Sequence, residues 1–333
     1  MIYRKKLYRI FYPFLIINMI LFFSTCKKTS VEPPTEYVEV PEDLIPYFYG
    51  NPAWHPAGKW IAVEHGDSID INQDGLNDKI FSGIWLIDSE TAEKKPLIER
   101  FSLPSWSPDG NKLALVLGAQ IFTIDIKNLN EMPVDTSNLT QLTISGRNFY
   151  PDWSYDAQKI AYSKSICEGP MTCGTWYTNL QSNEHNFVVE YGRYPNWNPL
   201  ENSLIYITRS VSLSGEILGD SLFSANIETG SKSLIKYLHG DNVTNRYIKY
   251  SPNSQQIAFC SKPIIGPTAL WIMDYDGSNL QKVSPEYAHE FDWSPDGTKL
   301  IYLFWDFLED HPGNGHLWLM NSDGSGVIQL TKD

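Results

Sequence analysis

Positive charge is scarce in this chain: 26 Lys and Arg stand against 39 Asp and Glu, a formal net charge of -13. Such a surface repels phosphate backbones, which argues against nucleic acid as a partner, and it does not suit direct contact with an anionic membrane. The common enzymatic signatures are missing. There is no Gly-x-Ser-x-Gly elbow, no His-Glu-x-x-His and no phosphate-binding glycine loop, so any catalytic site would have to be assembled from scattered residues. Cysteine is sparse, with four in 333 residues. Beyond the N-terminal apolar run no stretch sustains a helical period, which points to an all-β chain.

The first residues set the compartment. Arg4, Lys5, Lys6 and Arg9 precede an almost unbroken apolar run from Phe11 to Phe23, and Ser24, Thr25 and Cys26 follow. A bilayer-spanning helix needs about 20 apolar residues, so this shorter core between charge and small residues reads as a signal peptide over 1–25. Phe23-Ser24-Thr25-Cys26 resembles the lipobox of bacterial lipoproteins, although that family usually has Leu at the position of Phe23 and Gly or Ala at that of Thr25. The resemblance implies lipidation of Cys26, anchoring to a membrane through the lipid, and a place in the bacterial cell envelope, periplasmic or on the outer-membrane surface. An uncleaved anchor helix is the alternative; either puts the remainder outside the cytoplasm. Loss of the four basic residues in 1–25 takes the charge from -13 to -17. Residues 26–46, with Pro33, Pro34, Pro41 and Pro46, read as a tether. In an oxidising compartment Cys167 and Cys173, close together in one loop, are expected to pair, whereas Cys260 in Ile257-Ala258-Phe259-Cys260 reads as a small buried hydrophobe.

A repeat organises residues 47–333. An aromatic residue, a Ser-Pro-Asp-Gly turn or a degraded form of it, and a short apolar strand recur with anchors at Trp54, Trp106, Trp153, Trp197, Tyr250 and Trp293, spaced 43 to 53 residues apart. Pro presets φ in a tight turn and Gly supplies the positive φ that closes a hairpin. A period in the forties suits a four-stranded propeller blade. Third strands read Ile84–Asp88, Ile121–Asp125, Leu270–Asp274 and Leu317–Asn321, and fourth strands Gln141-Leu142-Thr143 and Gln329-Leu330-Thr331. The expected fold is therefore a six-bladed β-propeller with four-stranded blades. The recurring Trp residues are expected to pack between blades. These residues closely resemble the WD-like repeat of the TolB propeller family, over nearly all of 48–333. The resemblance does not extend to the N-terminal α/β domain of TolB or to the C-terminal hydrolase domain of peptidases with a similar propeller, neither of which is expected in these residues, so it implies the fold and leaves the function open.

Alternating strand direction puts the tight turns on one face. Glu64–Gly83, Lys164–Thr175, Arg209–Asp220 and Trp305–Gly315 are long segments between second and third strands, expected to converge on the other. One of them holds Asp70-Ile71-Asn72-Gln73-Asp74-Gly75-Leu76-Asn77-Asp78, in which Asp70, Asn72, Asp74, the Leu76 carbonyl and Asp78 match a Ca²⁺ loop of the DxDxDG kind. Phe81 stands where a bidentate Glu would complete it, which predicts a Kd of roughly 10⁻⁴ to 10⁻³ M or a replacement donor such as Glu64 or Asp67. By the same topology His65, His239, His289, His311 and His316 lie on the loop-bearing face, and His55 and His185 on the other. Converging imidazoles could bind a transition metal, as in propeller lyases acting on pectate fragments. Two readings follow: an envelope lipoprotein that binds a protein or glycan without catalysis, with a structural Ca²⁺, or a metal-dependent polysaccharide lyase or hydrolase.

Overall fold

The turn phrase closes its hairpin through one repeated set of hydrogen bonds. In Trp106-Ser107-Pro108-Asp109-Gly110, the Gly110 amide donates to the Ser107 carbonyl (2.8 Å), the Ser107 hydroxyl to Asp109 (2.6 Å), and the Lys112 amide to the Ser107 hydroxyl (2.9 Å). The same set recurs around Ser154, Ser251 and Ser294. Two degraded copies keep an acceptor at the Ser position: His55 Nδ1 takes the Ala57 amide, and Asn198 Oδ1 takes the Leu200 amide. Those two acceptors take the amide two residues on instead of five, and what all six turns keep is the backbone bond from the amide at the Ser position to the carbonyl five residues on.

The computed structural model describes residues 49–69, 79–130, 133–165, 172–211, 217–238, 244–262, 267–305 and 315–332. The expected signal peptide 1–25 and tether 26–46 lie outside them. Six antiparallel four-stranded sheets, each made of strands consecutive in sequence, form the six expected blades. Their innermost strands are Tyr49–Trp54, Ser102–Trp106, Arg147–Trp153, Arg193–Trp197, Thr244–Tyr250 and Ala288–Trp293. Each of these touches its counterpart in the next blade, the last touches the first, and so the ring closes. Strands are lettered A to D from the axis outward.

Strand D is short in blades 2, 5 and 6, and the recurring Leu-Thr pair explains how it ends. Leu142, Val283 and Leu330 donate their amides to the strand C carbonyls of Ile121, Leu270 and Leu317. The hydroxyl of Thr143, Ser284 or Thr331 then accepts the amide of that same strand C residue (2.8, 2.8 and 3.0 Å). A side-chain oxygen therefore stands in for a missing ladder carbonyl. Blades 1 and 3 have longer D strands that cross strand C closely at Gly83 and Gly174. A Cβ would lie 2.3 Å from the Ile98 carbonyl at the first and 1.9 Å from that of Val189 at the second, so only glycine fits there.

Six apolar clusters fill the six junctions between neighbouring blades. Trp106 belongs to the cluster of blades 1 and 2, Trp153 to that of 2 and 3, Trp197 to 3 and 4, Tyr250 to 4 and 5, Trp293 to 5 and 6, and Trp54 to 6 and 1. The recurring aromatics are packing residues, as expected, each contributing on the order of 4 kcal/mol of apolar burial. One expectation needs correction. Arg209–Asp220 is mostly strand: strand B of blade 4 runs Ser203–Val211 and strand C Ile217–Asn226, paired nearly to their ends. In blade 1 the ladder likewise continues to Ile69 and resumes at Lys79.

Candidate functional site: the channel and the loop-bearing rim

The ring axis is lined by a feature that recurs three residues before each seam aromatic. In all six blades the A–B register shifts there, and Asn51, Leu103, Tyr150, Tyr194 and Tyr247 take positive φ between 45° and 56°. Proline follows in four blades, as Pro52, Pro104, Pro151 and Pro195. A bulge redirects a side chain, and these five, with Glu290 of blade 6, line the central cavity. Residues two further on, among them Asp152, Asn196 and Lys249, form a second tier. The cavity has a volume of about 70 Å³, enough for several waters.

The wall is asymmetric. Blades 3, 4 and 5 contribute Tyr150, Tyr194 and Tyr247, whose ring centroids lie 4.6, 5.3 and 5.7 Å apart and which pack into one aromatic wall. The opposite wall is polar. The Tyr247 hydroxyl donates to Glu290 (2.9 Å), the Asn51 amide to Glu290 (2.6 Å), and the Asn51 side chain to Glu64 (2.6 Å), which also accepts the Leu103 amide (2.8 Å). In the second tier carboxylates and amides tie blades together. The Trp197 amide donates to Asp152, the Tyr250 amide to Asn196 and the Trp54 amide to Asp292, while Lys249 pairs with Asp292 at 2.6 Å.

Enclosure in the wall raises the carboxyls of Glu64 and Asp152 to about 7. For Glu64, burial outweighs the Leu103 amide, and the Glu290 carboxylate pushes the same way; for Asp152, burial outweighs the Trp197 amide. Burial raises Glu290 and Tyr247 as well. The channel can therefore hold protons near neutrality. Among the described residues no three His, Cys, Asp or Glu side chains group as a metal would require.

Above the channel, strands B end and strands C begin at one rim. The described segments flanking 70–78, 166–171, 212–216, 263–266 and 306–314 all open there, so five blades carry longer connections at this rim, one more than the sequence suggested. Blade 2 turns tightly at Gly118 and Ala119, both at positive φ.

The calcium residues Asp70, Asn72, Asp74, Leu76 and Asp78 lie outside the described residues. Their suggested helpers are otherwise engaged: Glu64 in the channel, and Asp67 beside Lys94 and His65. Phe81 is buried in the junction of blades 6 and 1. His239 and His311 also lie outside the described residues, and the other three imidazoles, though near the loop-bearing ends of their strands, do not converge. His65 is buried in the same junction, stacked on Tyr49 at 4.1 Å. His289 lies opposite Leu303 and His316 opposite Phe304, adjacent residues of one strand, so these two point to opposite sides of the blade 6 sheet. His55 and His185 sit on the tight-turn face as expected, hydrogen-bonded to Gly110 and Tyr162 respectively. Cys173 is disulfide-bonded, while Cys167 and Cys26 lie outside the described residues. Cys260 is free and buried. The channel wall itself escaped sequence reading, although a Pro two residues before four of the six anchors was its visible trace.

No protein-family model matches the chain, and no curated protein matches it. Solved structures do. TolB from Acinetobacter baumannii superposes with a TM-score of 0.57 at 17% identity, over 72% of this chain and 57% of that one. The fold is a TolB-type six-bladed propeller. The chain thus spans little more than half the length of that TolB. An oligogalacturonate lyase in complex with manganese matches over 86% of this chain and 77% of its own, with TM-score 0.55 and 12% identity. The propeller domain of the Trilobed protease from Pyrococcus furiosus matches over 86% and 98%, with TM-score 0.53 and 13% identity. At these identities the likeness of the TolB-type propeller to each is one of fold. Among its described residues no helix is long and apolar enough to cross a membrane.

Proposed function

We propose that this chain is a cell-envelope lipoprotein, anchored through Cys26, whose propeller binds a protein or glycan partner at the loop-bearing rim without catalysing a reaction. The observation that carries this reading is the gathering of the longer connections of five blades on one rim, around the mouth of a small channel. A rigid ring that collects variable connections at one end suits recognition there. The net charge, -13 for the full chain and -17 without the four basic residues of 1–25, favours a partner whose contacting surface is basic or bridged by cations. Affinity capture from native envelope tests the reading. The full chain is expected to retain a partner that is lost when 212–216 and 306–314 are replaced by tight turns; equal capture by both proteins would remove the rim from the account.

In this reading a Ca²⁺ ion on Asp70, Asn72, Asp74, the Leu76 carbonyl and Asp78 orders the connection in blade 1. With 10 mM Ca²⁺ and a Kd of roughly 10⁻⁴ to 10⁻³ M, mass action stabilises by about 1.5 to 3 kcal/mol. The expected result is a melting temperature several degrees higher in Ca²⁺ than in chelator, with the difference abolished in Asp74→Ala. Equal melting in both conditions would discard the ion.

A further inference from the structure

Among the described residues the ring is closed without strand exchange: each sheet, those of blades 1 and 6 included, consists of four strands consecutive in sequence. The junction is held by side chains, apolar in its body and polar toward the channel. The polar part is a continuous belt across four blades, from the Tyr247 hydroxyl to Glu290, from Glu290 to both the Asn51 amide and, through the Asn51 side chain, Glu64, and from Glu64 to the Leu103 amide. Two carboxyl groups thus bracket one asparagine whose amide and side-chain donors are both in use. Gly50 leaves the space for one of them, since a Cβ there would lie 3.3 Å from Glu290 Oε2.

We propose that Glu64 and Glu290 form a proton-holding latch that tightens the junction of the first and last blades in acid and loosens it as pH rises toward neutrality.

Among the described residues, the charged groups around the pair give it little positive charge. Arg246 acts on Glu290 from blade 5, but Lys249 is committed to Asp292, and Glu64 faces Glu290 with only neutral donors between. Tyr150 and Tyr247 flank Glu290 as neutral phenols, which burial keeps from ionising. A protonated carboxyl still accepts an amide through its carbonyl oxygen, so the belt survives protonation while the repulsion is relieved. Burial holds the Glu64 carboxyl at about 7 and raises that of Glu290. A carboxyl raised on folding stabilises fully below its unfolded value of 4.5, and that contribution is lost as pH rises to about 7, beyond which nothing more changes. No other junction brackets a single residue between two carboxyls in this way among the described residues; that of blades 3 and 4 carries Asp152 alone, which also rises to about 7 and serves as the internal control.

The test is hydrogen exchange of the full chain between pH 5.5 and 8, corrected for intrinsic rates, with melting curves alongside. The Asn51 and Trp54 amides are expected to open about tenfold more readily at pH 8, the equivalent of one unit of carboxyl shift, while the Trp197 amide follows Asp152→Asn and not Glu64→Gln. Glu64→Gln, or Glu290→Gln should the first fold poorly, is expected to flatten the pH dependence at Asn51 and Trp54 and to raise the melting temperature at pH 8. Opening at Asn51 that ignores pH in the native chain, or a dependence that persists in the Gln variant, overturns the latch.

Discussion

Trp197→Ala lowers stability by about 3 to 5 kcal/mol, whereas Trp197→Phe costs about half as much. Trp197 is 3% exposed in the junction of blades 3 and 4, edge-on to Tyr177 at 6.0 Å. The alanine variant leaves a cavity between two sheets that cannot collapse independently, because each is also packed on its other neighbour. The phenylalanine variant keeps most of the area and removes an indole N–H that has no acceptor in reach among the described residues. Trp153 offers the contrast. Its indole donates to the Ser105 carbonyl at 2.9 Å, so Trp153→Phe strands that acceptor and costs about 1 kcal/mol more than Trp197→Phe. Urea midpoints at constant m-value measure all three. Equal losses for the two phenylalanine variants would show that the indole donors contribute nothing at these junctions.

Asp220→Ala is the second large loss, about 3 kcal/mol or more. The Asp220 side chain is fully buried and accepts Arg193 (2.8 Å), Arg209 (3.4 Å) and the Asn245 backbone amide (2.9 Å), linking blade 4 to blade 5. Removing it leaves two guanidinium groups without their shared counter-charge and a buried amide without its acceptor, the circumstance in which breaking a buried ion pair costs most. Asp220→Asn keeps an oxygen for the amide and is expected to cost less than half as much. Thermal melts of the two variants separate these outcomes. A surface ion pair such as Lys112–Asp125, with both side chains 47% exposed, is worth little by comparison, and Asp125→Asn should fall within about 0.5 kcal/mol of the native chain.

Blade number, blade order and the seam aromatics were legible because they depend on local chemistry repeated six times. The same backbone bond closes each turn behind a Ser, His or Asn, and a large aromatic precedes it. The Leu-Thr ending was legible as a pattern, but its purpose emerged only from the hydroxyl that completes strand C. Segment lengths misled in blade 4, where Ser210 and Gly219 belong to a paired ladder despite their turn-like composition. The histidines misled for another reason. His239 and His311 lie outside the described residues, and alternation along the strand turned His289 and His316 to opposite sides of their sheet. The channel wall was the chief omission, since its six equivalent positions are held by four residue types: Asn51, Leu103, Tyr150, Tyr194, Tyr247 and Glu290.

Sequence alone determined that six similar sheets form and that each carries an aromatic to bury, because turn closure and apolar alternation act within one blade. Only the tertiary structure decided what meets at the axis. Glu64 and Glu290 are 226 positions apart in the chain, and their encounter at Asn51 exists only once the ring has closed. Their protonation follows from that enclosure, because the energy of a carboxylate depends on the solvent and charges surrounding it and not on its neighbours in sequence.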